Sequence, residues 1–295
     1  MGDANGYKLL EAAYDDDELV DDLGVTCWLL KDAGWVLLYP YVSVPASISA
    51  LAMECRVLVS RWPRMGMPQQ MHGLAVFLWL LGNSVWMFGE LFFEKSDEPG
   101  RTFPWFSGPV LGVHSGVSAA TLLAAQCLFL SAFAAVLRCY IWYVAELLRN
   151  SSAERLPEVA AGDRKVFGVI EPDVYETMFI GPWVLKDLFW TIDRLCPALV
   201  CSGATMALIV HSGMHTGWRA GYGRSCSELL WMTGNTVWLI AELASGDSST
   251  WAREVACVVL LTGCVPLVCA VCRSASGKAA EEPHESTGLL AKSGT

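Results

Sequence analysis

The chain has 295 residues and a formal net charge of −10, and its composition is 54% hydrophobic but only 17% charged. Soluble globular proteins carry about 25% charged residues, so this composition excludes an ordinary soluble protein. Several apolar runs of roughly 20 residues predict an all-α, polytopic membrane protein whose first partner is the lipid bilayer. No basic patch indicates nucleic-acid binding.

Residues 1–24 are polar and acidic, which predicts a disordered leader rather than a signal peptide. Residues 273–295 form a second polar tail that we also expect to be disordered. The segments Tyr7-Lys-Leu-Leu10 and Glu285-Ser-Thr-Gly-Leu289-Leu290 are similar to tyrosine and acidic dileucine sorting sequences. They predict cytosolic termini, cytosolic sorting adaptors as partners, and residence in the plasma membrane or an endolysosomal membrane.

The first membrane unit is predicted over residues 25–148. A short lead-in helix over Cys27–Tyr39 is followed by membrane helices at about Pro45–Ser60, His72–Phe93 and Leu111–Leu148. A single kinked helix through Pro40 and Pro45 is the alternative for the start of this unit.

Residues 149–178 are predicted to be a hydrophilic linker before a second membrane unit over 179–272. This unit contains an apolar stretch at 179–212 and helices at Glu228–Ala244 and Trp251–Cys272, which gives about six membrane helices in all. Asn150-Ser-Ser is a weak glycosylation sequon that would place the linker outside the cytosol.

The two units share two motifs. Trp28-Leu-Leu-Lys31-Asp32-Ala-Gly-Trp35 matches Trp183-Val-Leu-Lys186-Asp187-Leu-Phe-Trp190, and a later helix in each unit carries the same four residues. Those residues are Trp79, Asn83, Trp86 and Glu90 in the first unit and Trp231, Asn235, Trp238 and Glu242 in the second. The motifs predict an internal repeat of two homologous three-helix halves, each preceded by its lead-in helix.

The number of membrane helices in a half decides how the halves are related. Three is odd, so the second half would enter from the opposite side, and an inverted repeat places its site near the midplane between the halves. Four helices in each half would instead make the halves parallel. For the inverted arrangement, the count of basic residues is nearly equal on the two sides and leaves the orientation undecided.

The repeated Trp, Asn, Trp and Glu residues fall on one face of a helix. Polar groups are costly within a bilayer, so this face is expected to line the protein interior or a water-filled path. The predicted solute-binding residues are Asn83, Asn235, Trp79, Trp86, Trp231 and Trp238, and the predicted proton- or ion-coupling residues are Glu90 and Glu242. In the alternative interpretation, the amides join helices and the glutamates end them in the headgroup region.

The two Lys-Asp dipeptides are predicted to form structural charge pairs. Neighbouring residues on a helix point about 100° apart, so Lys31 is not expected to pair with Asp32. An exchange of partners between the halves, Lys31 with Asp187 and Lys186 with Asp32, would satisfy all four charges. The alternative is an interfacial helix whose lysines extend to the headgroups.

The sequence contains no Ser-His-Asp arrangement, phosphate-binding glycine loop or spacing typical of a zinc site. We therefore expect no enzyme activity, no cofactor and no metal, and we interpret His211 and His215 as an ordinary polar pair. The predicted function is a small-solute transporter or channel-like protein, and the alternative is a non-transporting membrane scaffold or trafficking protein. A homo-oligomer is compatible with either function.

The segments Gly82-Asn-Ser-Val-Trp86 and Gly234-Asn-Thr-Val-Trp238 follow proline-bearing helices. This order is similar to the three-helix halves of SWEET and PQ-loop sugar carriers, over a short stretch in each half. The Pro-Gln dipeptide of those carriers does not occur at the expected place in either half. The resemblance implies three-helix halves and transport of a polar solute, and it assigns no role to a particular residue.

Overall fold

The computed structural model describes residues 20, 22–93, 115–152, 178–216, 218–245 and 250–281, and no strand occurs among them. A 3-10 turn at Trp62–Arg64 follows the second helix. The helices, numbered in chain order, are α1 (22–36), α2 (Pro40–Arg61), α3 (Met67–Phe93), α4 (Ser115–Ser152), α5 (Ile180–Thr191), α6 (Leu195–Thr216), α7 (Trp218–Ser245) and α8 (Thr250–Glu281). The all-α prediction is confirmed.

Within the described part of the chain, five segments are long and apolar enough to cross a membrane: Pro40–Arg64, Met67–Phe93, Val117–Glu146, Leu195–Met214 and Trp251–Cys269. The chain is thus a polytopic helical membrane protein, as predicted. The expected count was about six, and the difference is α7, which is 28 residues long but is not among the five. The sequence of α7 is more polar than that of α3 because its first half carries Arg219, Arg224 and Glu228.

A tight turn separates α1 from α2. Leu38 adopts a left-handed backbone conformation with φ of 54°. Its N–H donates to the carbonyl of Trp35 at 2.8 Å, and the N–H of Tyr39 donates to the carbonyl of Gly34 at 2.7 Å. This pair of bonds ends a helix through a left-handed cap. The lead-in helix is therefore separate from α2, and the single kinked helix is excluded.

The same turn occurs between α5 and α6. Asp193 is left-handed with φ of 57°. Its N–H donates to the carbonyl of Trp190 at 3.0 Å, and that of Arg194 donates to the carbonyl of Phe189 at 2.9 Å. Both turns thus place a left-handed residue seven positions after the lysine of the lead-in helix.

Successive helices pack antiparallel. In the first half, Gly34 near the end of α1 lies against Ser43 near the start of α2. Gly82 of α3 lies against Phe129 of α4, and Gly89 lies against Thr121, which comes earlier in α4. The lead-in helix is therefore a full partner of α2 in the bundle, and each half contains four helices of alternating direction.

The helices α1, α3, α5 and α7 all run in the same direction. Trp28 of α1 and Trp183 of α5 both contact Trp79, near the middle of α3. Trp35 and Trp190, seven residues later, both contact Trp86, which is also seven residues later. We call the end of the bundle at which these four helices begin the starting end, and the opposite end the far end.

The predicted inverted repeat is therefore wrong. Helices α1 and α3 of the first half and α5 of the second run in the same direction, which an inverted repeat does not allow. The physical reason is that α1 and α5 cross the core as antiparallel partners of α2 and α6, which makes the number of helices in each half even. The four-helix halves also depart from the three-helix halves of the sugar carriers.

The two halves differ in length at one connection. Lys186 follows Lys31 by 155 positions, whereas Asn235 follows Asn83 by 152. The helices α2 and α6 are both 22 residues long, so the difference arises after them. The three-residue 3-10 turn Trp62–Arg64 lies at that connection in the first half.

The remaining predictions concern the leader, the linker, Asn150 and the tail. The helix α8 continues past Cys272 to Glu281, into the segment predicted to be a disordered tail. Asn150 lies near the end of α4, and its side chain is outside the described part of the chain. The leader through residue 19, the linker at 153–177 and both sorting-like segments also lie outside the described residues.

Candidate functional site

The four parallel helices meet in stacked layers at the centre of the bundle. The first tryptophan ring contains Trp28, Trp79, Trp183 and Trp231. The charged layer contains Lys31, Asp32, Asn83, Lys186, Asp187 and Asn235. The second tryptophan ring contains Trp35, Trp86, Trp190 and Trp238. The glutamate layer contains Glu90 and Glu242.

Both tryptophan rings are closed. Neighbouring ring centroids lie 5.5, 5.6, 3.9 and 5.3 Å apart around the first ring. Around the second ring they lie 5.0, 5.4, 5.0 and 4.9 Å apart, with the indole planes close to perpendicular. Edge-to-face contacts such as those of the second ring are favourable for aromatic pairs. Each ring takes one tryptophan from each central helix, so both rings join the two halves.

The charged layer contains two ion pairs between neighbours in sequence. Lys31 pairs with Asp32, and Nζ of Lys186 lies 2.6 Å from Oδ1 of Asp187. All four residues are at most 3% exposed. The predicted exchange of partners between the halves is therefore wrong. A lysine has a flexible four-carbon stem, which lets its ammonium group reach the adjacent carboxylate despite the angle between them.

The aspartates nevertheless connect the two halves. Oδ2 of Asp32 accepts hydrogen bonds from Nε1 of Trp231 at 2.6 Å and from Nδ2 of Asn235 at 3.2 Å.

The second half forms the same arrangement with the first. Oδ2 of Asp187 accepts from Nε1 of Trp79 at 2.6 Å and from Nδ2 of Asn83 at 2.9 Å. The lead-in helix of each half is thus bonded to the repeated tryptophan and asparagine of the opposite half. Hydrogen bonds to an ionised carboxylate are stronger than neutral ones, so these contacts couple the halves firmly.

The charged layer is not fully symmetric in its ammonium groups. Nζ of Lys31 also donates to Oδ1 of Asn83 at 3.0 Å. Among the described residues, Nζ of Lys186 has its ion pair but no well-aligned hydrogen bond, and it lies 5.2 and 4.8 Å from the ring centres of Trp183 and Trp190. Cation–π attraction therefore substitutes for part of the hydrogen bonding of Lys186.

The first tryptophan ring shows a related difference. Nε1 of Trp183 donates to Oδ2 of Asp187 at 3.1 Å. Nε1 of Trp28, at the equivalent position, is buried and has no acceptor among the described residues.

The glutamate layer is bonded within each half. Nε1 of Trp35 donates to Oε2 of Glu90 at 2.7 Å. Glu242 accepts from Nε1 of Trp190 at 3.0 Å and from Nε1 of Trp238 at 2.5 Å. The glutamates thus hold the lead-in helices through the second tryptophan ring.

Glu242 has a further charged partner. Its Oε1 lies 2.7 Å from Nη2 of Arg253 on α8, and the two side chains are 16% and 7% exposed. Nη1 of Arg253 also donates to the carbonyl of Val36 at the end of α1. This arginine therefore ties α8 to both halves at the far end.

The structure brings the predicted solute-binding residues together, but, Trp86 apart, their polar groups bind other side chains of the same chain. Asn83 and Asn235 are each 5% exposed. Sequence reasoning did not include Trp28, Trp183, Trp35, Trp190 and Arg253 in the site. These four tryptophans lie three residues before or four residues after the lysine of their lead-in helix. Helical spacing therefore places them on the same face as that lysine, and they could have been predicted to belong to the site. Nothing in the sequence pattern pointed to Arg253.

The histidines lie away from these layers. His72 is 6% exposed in α3, and His211 is exposed on α6. Within the described segments, no group of three or more His, Cys, Asp or Glu residues is placed to hold a metal ion.

No family model, no curated protein and no solved structure matches this chain. The geometry of the layers is therefore the basis for interpreting the function.

Proposed function

We propose that the chain is a small-solute transporter or channel-like protein whose site is the charged layer between its two halves. The observation that carries this proposal is the pair of Lys–Asp ion pairs, at most 3% exposed, at the centre of a bundle of membrane-crossing length. Ionisable groups at such depth are costly and commonly mark solute pathways and ion or proton relays.

A buried ion pair contributes little to the free energy of unfolding compared with apolar side chains of similar size. Well-packed apolar side chains in place of a buried ion pair are often neutral or stabilising. Two such pairs therefore favour a role in binding or movement over a role in folding alone. Their position supports the same interpretation, since Asp32 and Asp187 bond across the halves, and a relative movement of the halves would expose them.

A polar solute could replace these contacts during transport. Separation of α1 from α7 would free the carboxylate of Asp32, the amide of Asn235 and the indole N–H of Trp231. These groups offer an acceptor, a combined donor and acceptor, and a donor to a solute with hydroxyl, amide or amine groups. The indole faces of the two rings would supply flat apolar walls.

Glu90 and Glu242 are the proposed proton- or ion-coupling groups. Each binds a tryptophan of the second ring, so the ring lies between the glutamates and the charged layer. A change in the charge of a glutamate would alter its bond to the ring and, through the ring, the packing around the lysines.

The test is flux in liposomes that contain the purified full chain. We expect wild-type protein to move protons or members of a panel of small polyols, amino acids and amines, and Asn83→Leu combined with Asn235→Leu to abolish that flux. Thr262→Val is the control, because Thr262 is exposed on α8, outside the layers, and its hydroxyl donates to the carbonyl of Val258 in its own helix. A folded double variant with unchanged flux would refute the site.

The second candidate is a non-transporting membrane scaffold or trafficking protein. The observation that favours it is the closed network, in which Asn83 and Asn235 are 5% exposed and bonded to other side chains. Absence of flux from folded wild-type protein across the whole panel would select this candidate. Adaptor binding to the sorting-like tails would then be the activity to measure.

We also propose that the halves arose by duplication of a four-helix unit. The shared motifs, the paired left-handed turns at Leu38 and Asp193 and the matched aspartate contacts support this origin. For localisation, we propose cytosolic termini and a plasma or endolysosomal membrane, on the basis of the sorting-like segments in the tails.

A further inference from the structure

The charged layer holds the two halves together at two junctions, each made of one aspartate and the tryptophan and asparagine that donate to it. The α3–α5 junction contains Asp187, Trp79 and Asn83. The α1–α7 junction contains Asp32, Trp231 and Asn235. Because equivalent residues form both junctions, a difference between them shows where the layer is less completely bonded.

The α3–α5 junction is reinforced by two further hydrogen bonds from the lead-in helices. Nζ of Lys31 donates to Oδ1 of Asn83 at 3.0 Å, and Nε1 of Trp183 donates to Oδ2 of Asp187 at 3.1 Å. The amide of Asn83 thereby uses both its oxygen and its nitrogen, since its Nδ2 donates to Asp187. The polar groups at this junction therefore satisfy one another.

The α1–α7 junction lacks both of these further bonds. Lys186 and Trp28 occupy the equivalent positions, and Nζ of the first and Nε1 of the second have no hydrogen-bond acceptor among the described residues. Both residues are at most 7% exposed. Nδ2 of Asn235 lies 3.2 Å from Oδ2 of Asp32, and it also donates to the carbonyl of Trp231 in its own helix at 3.3 Å. Two buried donors thus remain without acceptors.

Packing places both donors beside the α1–α7 junction. Trp28 lies one turn before Asp32 on α1, and its ring packs on the tryptophan of the junction with centroids 5.3 Å apart. Nζ of Lys186 lies 5.2 and 4.8 Å from the ring centres of two tryptophans of its own helix. Those two rings contact the tryptophans of α7 that precede and follow Asn235, with centroids 3.9 and 5.0 Å apart.

The chemistry of these two groups limits what can bind at the junction. An ammonium group has three donor hydrogens and an indole has one, and neither group can accept a hydrogen bond. A buried donor without an acceptor is costly, so a ligand that supplies an acceptor oxygen gains affinity from it. An aliphatic amine supplies only donors when it is protonated, and it would also meet the positive charge of Lys186.

The charge of the layer restricts the ligand further. Lys31 and Lys186 balance Asp32 and Asp187, and all four residues are at most 3% exposed. A ligand with a net charge would bring an unbalanced charge into this buried layer, which is far more costly than burying a neutral polar group. The layer therefore favours a ligand without net charge.

We propose that the α1–α7 junction is the solute-binding position, and that its solute carries acceptor oxygens and no net charge. Polyols and zwitterionic amino acids belong to this class, and aliphatic amines do not. Such a solute accepts from Lys186 and Trp28 and replaces the contact between Asp32 and Asn235. The inference rests on the proposed function, because it names the solute class of the same site, but binding is measured independently of transport.

The first experiment measures binding to wild-type protein. Purified full-length protein in detergent is titrated with tritiated erythritol, L-alanine and putrescine at neutral pH in a scintillation proximity assay. We expect erythritol or L-alanine to bind, and putrescine to bind at least about tenfold more weakly, which is the effect of one hydrogen bond to a charged group. Putrescine binding within that margin, or binding of none of the three probes, overturns the inference.

The second experiment compares matched variants of the two junctions. Asn235→Leu should weaken binding of the uncharged solute by about tenfold, and Trp28→Phe by about fivefold. Asn83→Leu and Trp183→Phe remove the equivalent groups of the α3–α5 junction, so they should weaken binding less while lowering the unfolding midpoint more. Thr262→Val, exposed on α8, is the control outside the layers.

The opposite order of the two effects separates binding from a purely structural role. If Asn83→Leu weakened binding as much as Asn235→Leu, the inference would be overturned. Flux in liposomes tests the proposed function separately. Binding of an uncharged solute without flux would support this binding position and refute transport, whereas flux without preference for uncharged solutes would support transport and refute the solute class.

Discussion

The carboxylates of the charged layer and of the glutamate layer play different structural parts. Asp32 and Asp187 accept hydrogen bonds from the tryptophan and asparagine of the opposite half. Glu90 and Glu242 accept theirs from tryptophans of their own half. The aspartates therefore join the halves, and the glutamates fasten each lead-in helix to its own half.

This difference follows from where each carboxylate originates. The aspartates belong to the lead-in helices, each of which lies between α3 and α7 and can bond to the helix of the other half. The glutamates belong to α3 and α7 and reach back to the last tryptophan of their own lead-in helix. A protein that opens between its halves would break the aspartate contacts and keep the glutamate contacts.

The largest expected effect comes from removing one aspartate. Asp32→Ala leaves the ammonium of Lys31 buried without its carboxylate, and breaking a buried pair costs about 3–5 kcal/mol. The thermal unfolding midpoint in detergent should fall sharply, together with the monodisperse peak in gel filtration. The control combines Lys31→Met with Asp32→Leu, which removes both charges and should be less harmful than the single change. A single variant as stable as wild type would contradict the aspartate link.

The two asparagines provide a comparison between the halves. Asn83 contacts two charged groups, Lys31 and Asp187, whereas Asn235 contacts one, Asp32. Hydrogen bonds to charged groups contribute about 1.5–3 kcal/mol each. Asn83→Leu should therefore lower the unfolding midpoint more than Asn235→Leu in the same detergent. Equal losses would show that the contact between Lys31 and Asn83 contributes nothing.

The glutamate layer should be less sensitive. Glu242→Gln keeps an acceptor oxygen for the indoles but removes the charge that faces Arg253, with an expected cost of about 2 kcal/mol. Glu90→Gln is the matched variant and should cost about 1 kcal/mol. The measurement is again the unfolding midpoint. If either change proved as harmful as Asp32→Ala, the distinction between the two layers would fail.

The smallest effect concerns the first tryptophan ring. Trp183→Phe removes an indole N–H bonded to Asp187, whereas Trp28→Phe removes an N–H without an acceptor among the described residues. Both changes shrink the ring, but Trp183→Phe also removes a hydrogen bond of about 1 kcal/mol and weakens the cation–π contact with Lys186. Trp183→Phe should be the less stable variant. Equal midpoints would indicate that Trp28 has an acceptor of similar strength.

Much of the candidate site could be predicted from the repeated motifs. The helical face of Trp79, Asn83, Trp86 and Glu90 was predicted from spacing, and α3 carries all four residues. The lead-in helices were also predicted, and both occur as short helices. The ion pairing was predicted wrongly, because the angle between adjacent side chains does not limit a long, flexible lysine as it would a short side chain.

The relation between the halves could not be predicted from periodicity. Helical spacing shows which residues share a face, but it does not show which neighbouring helix that face meets. The direction of the second half depended on whether two short helices cross the core. Helix α5 has 12 residues, well below the roughly 20 that a helix needs to span a bilayer alone. Only their packing against α2 and α6 shows that they complete a four-helix half.

By itself, the amino-acid sequence determined the membrane class, the helical content and the residues that would be costly in lipid, because these follow from composition and local spacing. The tertiary structure decided the parallel direction of the halves, the pairing of Lys31 with Asp32 and the bonds that carry Asp32 to Trp231 and Asn235. The hydrogen bonds from Trp231 and Asn235 to Asp32 join residues about two hundred positions apart in the sequence, so they exist only once the four central helices have packed together.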